Sequence, residues 1–134
     1  MRTRPCNAVT RRGRLRKAEQ FLDAANTVRD IADENDEVSD AYVTLCVHAG
    51  IAAADVICCA RLGEHALGES HTEASALLKM ATPDSARHLG ILLDMKTKAG
   101  YSDMPVSMGD AKRAERAATA LVEAARRANT AAGA

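Results

Sequence analysis

The feature that most limits what this chain can become is a long apolar run, residues 41–60, interrupted by polar side chains only at Thr44, His48 and Asp55. It shows no alternation of polar and apolar positions, so it does not read as a half-buried strand. A helix this apolar needs neighbours around most of its circumference. A membrane would supply them, but an aspartate near the middle of a span costs about 2.5–3.5 kcal/mol. The run is also rich in alanine and only moderately hydrophobic. The expectation is the buried central helix of a helical bundle, with no membrane involved.

The rest of the chain offers partners for it. Helical periodicity recurs throughout, and strand signals are nearly absent. A first helix is predicted over residues 14–33, with Leu15, Ala18, Phe21, Leu22, Ala25 and Val28 on its apolar stripe. An acidic linker, Asp33-Glu34-Asn35-Asp36-Glu37, leads into the central helix at 38–62, which Gly63 ends. Gly68, Glu69 and Ser70 precede a short helix over 71–80. Thr82-Pro83 starts the next, with Thr82 as the cap and Pro83 in the first helical position, and Gly100 closes it. Ser107 and Asp110 form a capping box before a last helix rich in Ala. The predicted fold is all-α: an up-and-down antiparallel four-helix bundle with one short extra helix, spanning 14–128. Residues 1–13 are expected to be a flexible basic arm and 129–134 a frayed end.

Charge is balanced overall, with eighteen basic and eighteen acidic residues, yet residues 1–17 hold seven Arg/Lys and no acid. The remainder is therefore net acidic. A basic arm can touch nucleic acid or an anionic surface, or simply stay solvated. It lacks the apolar core of a signal peptide. Cys6, Cys46, Cys58 and Cys59 do not form a disulfide pattern, and three of them lie in the apolar run. They are expected as free thiols of a cytoplasmic protein.

Two places carry candidate chemistry. In Lys96-Thr97-Lys98-Ala99-Gly100-Tyr101, two ammonium groups and a phenol converge where a helix ends, in a chain with one Phe and two Tyr. Lysine near a helix C-terminus is also ordinary dipole compensation. The second is the stripe Thr44, His48, Asp55, whose steps of four and seven place all three on one helix face. It is either a functional seam or a set of polar groups satisfied by neighbours. His65, His71 and His88 with Cys58 and Cys59 match no zinc spacing, so no metal and no cofactor are expected.

Read together, Tyr42…His48-Ala49-Gly50-Ile51-Ala52, then Ser70-His71, then Lys96…Gly100-Tyr101 resemble HEPN domains. These are small helical bundles of bacterial toxins, nucleotidyltransferase partners and RNA-processing systems. Members often show Tyr/Phe-x-His-Ala-x-x-Ala on the second helix, a later His-Ser, and Arg-x-x-Ala-Asp-Tyr where the penultimate helix ends. Ribonuclease members carry Arg-x4-6-His. Here Lys96 stands for the Arg, Gly100 for the acid and Tyr101 for the His. Lysine is a point charge without the planar fork of Arg, and a phenol with a pKa of about 10 is a poor base near neutrality.

The resemblance thus implies a non-catalytic or weakly catalytic component, associated with nucleic acid or nucleotide, of a bacterial toxin–antitoxin or defence-type system. It also implies a homodimer and a nucleotidyltransferase or antitoxin partner. Lys96 and Lys98 would engage phosphate, Tyr101 would stack on or hydrogen-bond the ligand, and His48 or His71 would assist. The alternatives are an active metal-independent ribonuclease with altered residues, and a bundle that only binds other proteins.

Overall fold

A computed structural model describes residues 1–33, 37–67 and 70–133. The chain is mainly helical, with five helices among the described residues: α1 (Ala8–Ile31), α2 (Ser39–Leu62), α3 (His71–Ala81), α4 (Pro83–Gly100) and α5 (Met108–Ala131). Two strands of three residues each, β1 (Thr3–Pro5) and β2 (Glu64–Ala66), pair antiparallel with Arg4 opposite His65.

Helix α2 is the centre. It packs against α1, α4 and α5, and also touches α3 and β2. By length and composition alone it would cross a membrane, yet 67% of its most apolar window is buried inside the protein. Val43, Cys46, Val47, Val56 and Ile57 are enclosed from α2, meeting Leu89 and Leu92 of α4, Leu121 and Val122 of α5, and Leu77 and Leu78 of α3.

Small residues let the axes approach. At Gly50 a Cβ would run into Leu92 Cδ1 and come within 3.2 Å of Leu121 Cδ1. The leucines of α4 and α5 therefore occupy the space that a side chain at position 50 would need.

The helix ends follow their local chemistry. Asn7 Oδ1 accepts from Thr10 N–H at 3.0 Å to start α1. Gly63 adopts φ 73° at the end of α2, where a side chain would be strained. Ser70 Oγ accepts from Glu73 N–H at 3.2 Å to start α3. Ser107 and Asp110 exchange both bonds of a capping box, at 3.0 and 3.1 Å. The Ser107 N–H that bonds Asp110 holds its carboxyl below the usual range. Thr82 takes the extended cap conformation ahead of Pro83, but its side chain makes no capping bond.

The structure departs from the sequence reading at the two ends. The first helix begins at Ala8, inside the arm expected over 1–13, and the segment before it forms β1. At the other terminus α5 continues to Ala131, and Asn129, expected to fray, is only 7% exposed. One contact ties both ends together: Arg11 Nε donates to Asn129 Oδ1 at 2.8 Å. Local sequence carries no sign of a partner 118 positions away.

The strands escaped notice because three residues are too few for an alternating pattern. They are held by flanking bonds, Leu67 N–H to Arg2 O and Cys6 N–H to Gly63 O, each 3.0 Å. The acidic linker residues Glu34, Asn35 and Asp36, and Gly68 and Glu69 ahead of the third helix, lie outside the described residues.

The cysteine expectation is corrected too. Cys6 and Cys59 form a disulfide with Cα atoms 5.7 Å apart, and only Cys46 and Cys58 are free and buried. Folding the terminal strand onto the end of α2 brings Cys6 to a residue 53 positions away. The expectation of free thiols thus fails for Cys6 and Cys59. Burial pushes the Cys46 thiol up to about 11 and the Cys58 thiol up to about 12, so neither is an activated nucleophile at neutral pH.

Two outcomes are expected in urea titrations. Gly50→Ala lowers stability by about 1 kcal/mol, because overpacking outweighs the helix-propensity gain. Gly90→Ala, with nothing within 4 Å of the new methyl, raises it by about 0.5–1 kcal/mol. Separately, reducing the disulfide or replacing Cys6 with Ser lowers stability by about 2–4 kcal/mol. Peptide mapping of the unreduced protein recovers the 6–59 cross-link.

Candidate functional site

The last turn of α4 lies against the second turn of α2, and a cleft of about 150 Å³ opens between them. It is lined by Thr44, Val47 and His48 from α2 and by Lys96, Gly100 and Tyr101 from the end of α4. Residues some fifty positions apart thus share one small space. Periodicity places Thr44 and His48 one turn apart on the same face of α2. Gly100 keeps the floor low, with Thr44 Oγ1 3.9 Å from where its Cβ would stand.

Each lining residue offers something different. Lys96 is half-buried and makes no ion pair among the described residues. His48 is exposed, and its ring rests against Phe21 of α1 with centroids 5.4 Å apart. Thr44 adds a hydroxyl that can donate or accept. Tyr101 stands at the rim, 79% exposed, with its N–H bonded to Thr97 O at 2.8 Å. The cleft is large enough for a phosphate-sized group and too small for a whole nucleotide. The exposed phenol offers a flat aromatic face at the cleft's edge.

The other predicted residues are elsewhere. Lys98 Nζ lies 3.7 Å from Asp110 Oδ2, drawn toward the cap of α5 and away from the cleft. His71 is the first residue of α3 and does not line the cleft. The polar stripe on α2 divides: Thr44 and His48 face the cleft, while Asp55 belongs to a separate network. Its Oδ2 accepts from Arg14 Nε at 2.9 Å, and its Oδ1 lies 4.0 Å from His65 Nδ1. His65 Nδ1 is also 3.0 Å from Ala66 O. Burial raises the Asp55 carboxyl above its ordinary range, and Arg14 and His65 pull it back down. Asp55 is thus a satisfied structural carboxylate that fastens α1 to α2 beneath β2.

The cysteine–histidine grouping does not assemble either, since Cys59 is used by the disulfide. Among the described residues, no three His, Cys, Asp or Glu side chains gather as a metal would need.

A larger hollow of about 570 Å³ went unnoticed in the sequence. It lies where the end of α1 meets the starts of α2 and α5, and Arg29, Ser39, Tyr42, Lys112 and Glu115 help to line it. Arg29 Nη1 bonds Glu115 Oε1 at 2.9 Å, and the guanidinium stands 6.0 Å from the centre of the Tyr42 ring. Burial pushes the Tyr42 phenol up, so it stays neutral. With Arg29 bonded to Glu115 and standing over Tyr42, this hollow ties the three helices together.

No protein-family model matches this chain, and no curated protein matches it.

Proposed function

We propose that this chain is a HEPN-like, nucleic-acid- or nucleotide-associated protein of a bacterial toxin–antitoxin or defence-type system, and that it holds phosphate in the Lys96 cleft. In this reading α1, α2, α4 and α5 form an up-and-down four-helix bundle, with α3 as the short extra helix. The single observation that supports it is the meeting of Thr44, His48, Lys96 and Tyr101 around one phosphate-sized space.

Lys96 supplies the charge, Thr44 and His48 supply hydrogen bonds, and Tyr101 stacks on the adjoining base. A homodimer and a partner such as a nucleotidyltransferase or antitoxin belong to the same reading. Tyr101, Met104 and Met108, all exposed around the α4–α5 loop, offer apolar surface for such contacts.

Titration of the protein with a fluorescent single-stranded RNA, read by anisotropy, tests the cleft. Tyr101→Ala is expected to weaken binding by about 1–3 kcal/mol, the usual worth of one stacked base. Lys96→Ala is expected to weaken it about tenfold through the loss of a charge-assisted bond. Lys98→Ala, whose ammonium is engaged with Asp110, changes it less than twofold. Equal binding by all four proteins would remove the reading.

One observation favours the ribonuclease alternative: a histidine stands in the same cleft as a free lysine. There His48 would take the proton from a ribose 2′-hydroxyl as that oxygen bonds to phosphorus, and Lys96 would balance the charge that builds there. The P–O5′ bond would break, with the leaving oxygen taking a proton from water. In that case RNA is cut in the presence of chelator, and His48→Ala abolishes the cutting while leaving binding within a fewfold. Intact RNA at high protein concentration leaves the binding reading alone.

A further inference from the structure

The basic N-terminal segment is part of the fold, and its charges divide into two groups. Arg11 and Arg14 are spent internally, on Asn129 and Asp55. Arg2, Arg4, Arg12, Arg16 and Lys17 are exposed and form no ion pair among the described residues. Arg61 joins them on the last turn of α2, two residues before the Gly63 carbonyl that accepts from Cys6.

These cations ride on ordered backbone. Arg4 sits opposite His65 in the β1–β2 ladder, the Arg2 carbonyl is bonded to Leu67, and the Cys6–Cys59 disulfide fastens the strand to α2. Starting a few residues after β1, an open groove of about 880 Å³ runs along α1, with Arg14, Arg16, Lys17 and Gln20 but also Glu19 and Asp23 among its lining residues. Gly13 leaves its floor bare: only Arg16 Nη2, at 3.8 Å, approaches the place of a Cβ. From Thr10 to Gln20 the groove follows about 15 Å of helix. That length accommodates several consecutive phosphates at about 3.4 Å each.

No acid stands in the first turn of α1 to offset these cations. The nearby carboxylates do not cancel the field: Glu19 is taken by Arg126 at 3.2 Å and Asp55 by Arg14. Glu64 on β2 and Asp23 at the far end of the groove mark its limits.

We propose that this face, formed by β1 and the first half of α1, binds the sugar-phosphate backbone of nucleic acid without regard to sequence. Arginine suits that partner because its planar fork grips phosphate oxygens in pairs. A bilayer is a poorer match: the apolar stripe of α1 (Ala18, Leu22, Ala25) is already buried in the core, so the helix has no apolar face left to insert.

Toward the far end of the groove, Gln20 adjoins Phe21, whose ring packs on His48 of the Lys96 cleft, but no residue lines both spaces. Substitutions in the two linings therefore test the two assignments separately.

The test uses the oxidised full chain, a fluorescent single-stranded RNA, a DNA duplex, and salt from about 50 to 200 mM. The wild type is compared with the variant Arg2→Ala/Arg4→Ala/Arg16→Ala/Lys17→Ala and with Lys96→Ala. All the altered side chains of the first variant are exposed, and unchanged helicity and melting temperature check its fold.

The expected result is tight, salt-sensitive binding of both nucleic acids by the wild type. The fourfold variant loses about 30-fold or more in affinity, and its log–log salt slope is shallower by about three. Lys96→Ala keeps most of the wild-type slope. An unchanged slope in the fourfold variant overturns the proposal, even if Lys96→Ala weakens binding. So does a wild type that binds anionic phosphatidylserine vesicles but neither nucleic acid. Loss in the fourfold variant with no effect of Lys96→Ala upholds this surface and removes the cleft reading instead.

Discussion

Everything in this molecule depends on the enclosure of α2. Its neighbours cover it because it carries almost no polar side chain that needs water, and because residues such as Ala49, Gly50, Ala52 and Ala53 let them come close. At Gly50 the leucines of two other helices meet over one backbone position. That point fixes the spacing of α2, α4 and α5. The spacing in turn decides that the end of α4 stands beside Thr44 and His48, close enough to leave a phosphate-sized cleft.

The helical part of the fold was legible because its signals are local. The apolar run, Gly63 after α2, Pro83 at the head of α4 and the Ser107–Asp110 box each act within a few residues. The misread parts depend on distant contacts. Arg11 looks like one charge in a basic tail until Asn129 is seen beside it. Cys6 looks like a stray thiol until β1 folds onto β2 and brings it to Cys59. Pro5 sits in a strand at the edge of a two-stranded ladder, and Gly13 is tolerated inside a helix.

The candidate site was half legible. Helical spacing put Thr44 and His48 on one face, and the Lys-Tyr cluster stood out at the end of a helix. Only packing brings those two features into one cleft, and only packing separates Lys98, His71 and Asp55 from it. Asp55 is instructive. As a carboxylate in an apolar run it invites a functional role, whereas Arg14, read as the head of the first helix, supplies its counter-charge.

The disulfide has a topological consequence. It closes a covalent ring that contains all of α1 and nearly all of α2, leaving α3, α4 and α5 on an open tail. The cations on α1 lie on the ring, while Arg2, Arg4 and Arg61 lie just outside it on either side of the bond. The cleft is shared, with Thr44 and His48 on the ring and Lys96 and Tyr101 on the tail. If α4 lifts away locally, the cleft comes apart while the ring, with its row of cations, stays covalently closed. The two surfaces are thus built with different durability: one exists only while the whole chain is docked, and the other is held by a bond that outlasts the docking.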